Sequence, residues 1–129
     1  MTVQVDVRNE SRHKRLYTRA RLTALAETVC VGEGVDADVE VSLLCCDDDA
    51  IRTLNREYRG KDEATDVLSF GQPAPVGDVS PWLLGDIAIS LDTVARACDD
   101  DRMRMRAEVL FLFCHGLLHL LGYTHDTRA

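Results

Sequence analysis

Hydrophobic and polar residues alternate in several short stretches of this chain, and the alternation predicts four β-strands. At the start of the sequence Val3, Val5 and Val7 alternate with polar residues, the period of a strand that buries one face. The other predicted strands are short runs rich in valine, leucine or isoleucine. The four predicted strands cover residues 3–7, 39–43, 67–70 and 86–90. Residues 71–85 contain all three prolines and three of the eight glycines, so we predict a loop there.

Apolar residues at helical spacing predict four helices. The first carries Leu16, Ala20, Leu25 and Val29 on one face and is closed by Gly32. The other three are predicted around residues 51–58, from Leu91 to Cys98 and from Arg102 to Leu121. The order β-α-β-α-β-β-α-α predicts an α+β fold. We expect a single domain over residues 1–129, with helices packed on a small four-stranded mixed sheet.

Three of the four histidines lie close together near the C-terminus. His115 and His119 are four residues apart, so on a helix they share one face. Gly122 follows where a left-handed residue often ends a helix, and the chain can then turn back to bring His125 to the same point. Three imidazoles that leave a fourth position open are typical of catalytic zinc. The alternative, three buried histidines satisfied by hydrogen bonds, is costly in an apolar segment.

The donor set therefore predicts one zinc ion per chain on the C-terminal helix, although nickel and copper also bind imidazole. The spacing is that of metzincin-type zinc peptidases. Such a peptidase has Glu directly after its first histidine as the general base, whereas this chain has Gly116. We therefore do not expect peptide hydrolysis by that route. Gly116 either leaves room for a substrate beside the metal or allows close helix packing.

Charge is unevenly distributed along the chain. The net charge is −7, which argues against general nucleic-acid coating. Basic residues nevertheless cluster near the start of the chain and again at Arg52, Arg56, Arg59 and Lys61. Such a local basic surface can contact phosphates, although for any one cluster a solvated helix face is the simpler explanation.

Composition and the start of the chain favour a cytoplasmic protein. The first residues alternate in polarity rather than forming an apolar run, so no signal peptide is expected. The longest apolar stretch, residues 109–121, is too short to span a membrane. Five cysteines form no regular disulfide framework, which favours free thiols in a reducing compartment.

Residues 115–125 resemble the signature of the YbeY family of metal-dependent endoribonucleases. Residues 54–62, running into 65–70, are similar to the family's central motif, and residues 84–90 are similar to its next strand. The resemblance implies a bacterial cytoplasmic enzyme that cuts single-stranded RNA and holds one zinc on His115, His119 and His125. It further implies maturation of the 3′ end of 16S rRNA and ribosome quality control, with rRNA precursors and ribosomal subunits as partners.

Arg59 is the catalytic candidate outside the histidines. Its guanidinium is a rigid fork that could clamp the scissile phosphate, and it belongs to the family pattern. The alternative is a cation that stabilises a helix C-terminus. Asp66 and Asp86 could orient a histidine or act as a base, although such residues more often form hydrogen bonds with backbone groups at the ends of strands. The remaining weaker candidates are Ser69 and Phe70 for the cleft and Cys114, which we expect to face the core.

Two departures from the family pattern concern the C-terminal motif. The family commonly has Asp before its last histidine, where this chain has Thr124, and Asp126 follows instead. The sequence also ends four residues after His125, where relatives usually continue. Two other functions stay open at this point: a metallopeptidase-like hydrolase, and a non-catalytic ribosome-associated protein whose zinc is structural.

Overall fold

A computed structural model describes residues 1–72 and 80–122, and within these ranges the chain forms four strands and four helices. The strands are β1 (Val3–Asn9), β2 (Val39–Cys46), β3 (Val67–Gly71) and β4 (Trp82–Ser90). The helices are α1 (Arg19–Gly32), α2 (Asp48–Arg59), α3 (Leu91–Ala97) and α4 (Arg102–Leu120). The predicted element order and the α+β class are confirmed. None of the described helices combines the length and apolar character that crossing a membrane requires.

The sheet is mixed and has the strand order β1-β2-β4-β3. β2 is parallel to both β1 and β4, whereas β3 and β4 are antiparallel. The prediction of a loop up to residue 85 is wrong, because β4 begins at Trp82. Gly85, which suggested a loop, is a strand residue paired with Gly71. Its φ is +139°, and a Cβ there would collide with the carbonyl oxygen of Phe70, so the strand requires glycine.

Side-chain alternation along the strands divides the core into two clusters, one on each face of the sheet. The larger cluster includes Cys45 and is covered by α1 and α4. The smaller includes Cys46 and Ile51 of α2. The two neighbouring cysteines thus point to opposite faces, as their strand position predicts. Burial raises the pKa of both thiols to about 12, and all five cysteines are free, so the prediction of free thiols is confirmed.

Helix α4 lies unusually close to β4. One face of the helix is buried along its length, at Met105, Val109, Leu112, Phe113, Gly116 and Leu117. A Cβ added to Gly116 would lie 2.9 Å from Cδ1 of Ile87 and 3.0 Å from its Cγ2. One helical turn later, Leu120 packs over Gly85 of the strand. Ile87 therefore fills the space that a larger residue at 116 would need, so close packing explains this glycine and room for a substrate does not.

A network around Asp48 joins the start of α2 to α3. Its Oδ1 accepts hydrogen bonds of 2.7 Å from the hydroxyls of Ser90 and Thr93, and its Oδ2 accepts one of 2.6 Å from Arg96. Partial burial acts to raise the pKa of Asp48, but the hydrogen bonds from Arg96, Ser90 and Thr93 outweigh it and leave the pKa below its ordinary value. The ionised carboxylate therefore stabilises the fold.

Replacing Gly116 by Ala should destabilise the fold by about 1–3 kcal/mol, because the new methyl overpacks against the fully buried Ile87. Gly32→Ala is a matched control, since nothing lies within 4 Å of a Cβ at that helical position. The control should be neutral or stabilising by up to about 1 kcal/mol. Urea unfolding measures both variants, and Ile87→Val should recover part of the loss in the Gly116→Ala background. Equal stability of the two glycine variants would contradict the close contact.

Replacing Asp48 by Asn should cost about 1–3 kcal/mol at neutral pH, because acceptors for three hydrogen bonds are weakened or lost. The pKa of Asp48 is lower in the folded than in the unfolded chain, so its contribution is present above the unfolded-state pKa. It disappears as pH falls through the folded-state value. The stability difference between wild type and variant should therefore shrink below about pH 4. Urea titrations from pH 7 to 3 test this, with the exposed Asp36→Asn as the control expected to show no such convergence.

Candidate active-site cavity

Two of the three predicted metal ligands, His115 and His119, lie on α4 as predicted and are half-buried. Each comes directly before a residue that contacts β4, namely Gly116 and Leu120. Successive residues of a helix are rotated by about 100°, so the sheet contact determines the direction in which both imidazoles leave the helix. The four-residue spacing gives the two histidines a shared face, and this packing determines the direction of that face.

His125, the third predicted ligand, lies outside the described residues, as do Thr124 and Asp126. Within the described residues, histidine, cysteine and carboxylate side chains form no group of three that could hold a metal. The helix ends within one residue of the prediction: Leu120 rather than Leu121 is its last residue, and Gly122 has a φ of +114°. The convergence of all three histidines on one zinc ion stays a prediction.

A cavity of about 450 Å³ opens beside His115. It lies between α4, the end of α2 and the segment that leads into β3. Arg59, Lys61 and Asp66 line it together with His115. The fold therefore brings the predicted catalytic Arg59 to the same cavity as the first predicted metal ligand, although the two are 56 residues apart in sequence.

The basic residues around the end of α2 differ in how far they are neutralised. Asp62 accepts a 2.8 Å hydrogen bond from Arg52, which lowers the pKa of this carboxyl, and lies 3.7 Å from Arg56. In the described part of the chain, no carboxylate forms an ion pair with Arg59 or Lys61. The cavity thus receives the two cations of this cluster that are available to an anionic ligand. Its acidic lining groups are Glu63 and Asp66.

Asn55 positions the turn that carries these cations, a role that the sequence reasoning missed. Its side chain is buried, and its Nδ2 donates a 2.9 Å hydrogen bond to the carbonyl of Glu63. Its own carbonyl accepts a 3.3 Å hydrogen bond from the backbone N–H of Lys61. The sequence feature that could have indicated this role is a polar amide on the apolar face of α2, one turn after Ile51.

The weaker candidates separate by the cavity that they line. Asp66 lines the cavity beside His115, whereas Asp86 and Phe70 line a second cavity of about 920 Å³. Phe70 contacts the ring of Tyr58 there, with centroids 5.1 Å apart. Ser69 lies beneath α4, and its hydroxyl donates a long, 3.5 Å hydrogen bond to the carbonyl of Gly116.

Two residues of α4 differ from their predicted environment. Cys114 is only half-buried and borders a shallow depression between α1 and α4, so the prediction that it faces the core is only partly correct. Phe111 belongs to the apolar stretch of residues 109–121, whose composition favours burial, but 63% of it is exposed. It lies one turn before His115 and therefore on the cavity side of the helix rather than the sheet side.

Comparison with known proteins agrees with the motifs. A family model described as "Endoribonuclease YbeY" matches residues 5–129. Endoribonuclease YbeY from Anaeromyxobacter sp. (strain Fw109-5) is 48% identical over 97% of this chain and 64% of its own length. The Geobacter sulfurreducens protein of the same name is 38% identical over 96% of this chain and 82% of its own length. The chain spans less than two thirds of the length of several curated relatives.

A solved structure has a similar fold. The solution structure of TM1509 from Thermotoga maritima has 30% sequence identity to this chain and a TM-score of 0.51. The match covers 96% of this chain and 76% of the Thermotoga chain. With the family model matched over nearly the whole sequence and the close curated relatives, the result is unambiguous: the chain belongs to the endoribonuclease YbeY family.

Proposed function

We propose that the protein is a zinc-dependent endoribonuclease that cuts single-stranded RNA in the cytoplasm. Its substrates would be rRNA precursors, in maturation of the 16S rRNA 3′ end and in ribosome quality control, in association with ribosomal subunits. Membership of the endoribonuclease YbeY family supports the reaction class. The observation that carries the proposal is that one cavity is lined by both Arg59, which has no ion-pair partner among the described residues, and His115, whose imidazole suits a metal.

The donor chemistry of the described residues fits zinc. His115 and His119 share a helix face, and His125 would complete a three-imidazole set with an open position. When bound, zinc supplies a Lewis acid that polarises a phosphoryl oxygen and acidifies a water. No cysteine is needed: the nearest, Cys114, borders the α1–α4 depression instead.

Other side chains of the cavity would bind the phosphate and accept a proton. Arg59 can hold two phosphate oxygens with its planar fork, and Lys61 adds a second positive charge. Asp66 and Glu63 are the carboxylates of the cavity that can accept a proton from an attacking oxygen. Asn55 hydrogen-bonds to the turn after α2, so Arg59 and Lys61 keep their position relative to α4.

Peptide hydrolysis is the weaker alternative. A metzincin-type base would have to occupy position 116, where the Cβ direction is filled by the buried Ile87. A structural-zinc protein without activity would not require the cations at the cavity. Both alternatives make predictions that differ from those of a ribonuclease.

Incubation with single-stranded RNA and with casein, each with and without a chelator, separates these functions. We expect RNA cleavage that the chelator abolishes and that His115→Ala lowers by at least about 100-fold, because a ligand of the reacting centre is lost. His13→Gln is the matched control, since His13 pairs with Asp92 away from the cavity. Cleavage of casein alone would overturn the proposal, and so would an RNA activity that the chelator leaves intact.

Arg59→Ala should lower kcat/KM for RNA by about 100- to 1000-fold, the effect typical of removing one donor to a developing charge. Arg59→Lys should restore only part of it, because an ammonium lacks the planar fork. Arg52→Ala is the control: Arg52 is exposed, as Arg59 is, but pairs with Asp62, and its loss should change kcat/KM less than about threefold. Equal effects of Arg59→Ala and Arg52→Ala would mean that Arg59 contributes only to the overall positive charge of this surface and does not bind the phosphate.

A further inference from the structure

Two aromatic side chains in the described part of the chain are mostly exposed: Tyr58 at 68% and Phe111 at 63%. They lie at different cavities. Tyr58 contacts Phe70 on the face of the sheet that α4 does not cover, whereas Phe111 lines the cavity of Arg59 and His115. A single exposed apolar residue is ordinary on a protein surface, so its position decides what it means.

The position of Phe111 is set by α4. It precedes His115 by four residues, so the two side chains lie on one face of the helix, a turn apart. The neighbouring residues 112 and 113 are buried against the sheet, which fixes the rotation of the helix at this point. The phenyl ring thus lies at the edge of the same cavity into which Arg59 and Lys61 bring positive charge.

We propose that Phe111 is a stacking platform for one unpaired base of the RNA strand, beside the phosphate held by Arg59. The inference rests on the proposed function and adds a residue that selects single strands. An exposed phenyl ring binds the face of any base, and that face is available only when the base is unstacked and unpaired. Cations for the backbone next to an aromatic ring for a base form the usual surface for single-stranded nucleic acid.

Phe111 also borders the apolar depression between α1 and α4, together with Leu25, Leu110 and Cys114. A protein partner could use such a surface. The nucleotide is favoured because the other cavity that Phe111 lines contains polar and cationic residues that suit a phosphodiester, Arg59, Lys61 and Thr65, beside the carboxylates of Glu63 and Asp66. If Phe111 bound a protein partner instead, removing its ring would not change the affinity for RNA. The following experiment distinguishes the two.

The test measures binding of the zinc-loaded protein to a short RNA with 2′-O-methyl groups by fluorescence anisotropy, and gel electrophoresis of the same samples checks that this RNA stays intact. Phe111→Ala and Phe111→Leu should both raise Kd about 5- to 150-fold, whereas Phe111→Trp should match or improve on wild type. Met103→Ala is the matched control, because Met103 is 80% exposed on the same helix and lies outside the cavity. Its Kd should be unchanged, and unfolding midpoints exclude misfolding of any variant.

RNAs with one abasic nucleotide identify the stacked base. At one position the abasic RNA should bind wild type as weakly as the intact RNA binds Phe111→Ala, and the two changes should not add. With cleavable RNA, Phe111→Ala should raise KM more than it lowers kcat. An unchanged Kd for Phe111→Ala and Phe111→Leu, or no measurable binding of this RNA by wild type, would overturn the inference. Because binding is measured without cleavage, stacking by a protein that cuts no RNA would refute the proposed function alone.

Discussion

The contact between Gly116 of α4 and Ile87 of β4 determines how the candidate site is arranged. It sets both the distance of the helix from the sheet and its rotation, since a side chain at 116 would have no room. Leu120 over Gly85 repeats the close approach one turn later. With the helix fixed at these two points, His115 and His119 have a defined direction, and so does Phe111 a turn earlier.

The other half of the cavity is built at the end of α2. A buried amide, Asn55, holds the turn after the helix, and Asp62 pairs with Arg52 and Arg56 while leaving Arg59 and Lys61 to the cavity. A cluster of four basic residues in sequence thus becomes two structural cations and two that are available to a ligand. This division explains how a protein with a net charge of −7 can present a local site for phosphate.

The sequence predicted the elements well because local periodicity decides them, and it predicted the histidine face because spacing on a helix is local too. It could not place β4 correctly, since the need for Gly85 arises from its pairing with β3 and its contact with Leu120. Nor could it separate Asp66 from Asp86, which line different cavities. Phe111 looked buried because its neighbours are apolar, but the rotation of α4 exposes it.

The most direct test of the account is anomalous diffraction at the zinc edge from crystals of the zinc-loaded protein. We expect one zinc ion per chain, bonded to ring nitrogens of His115, His119 and His125 at about 2.0–2.1 Å, on the side of α4 that faces Arg59. A zinc ion bound elsewhere, or the absence of zinc from both described histidines at full loading, would contradict the central claim that the packing of α4 presents a metal site to this cavity.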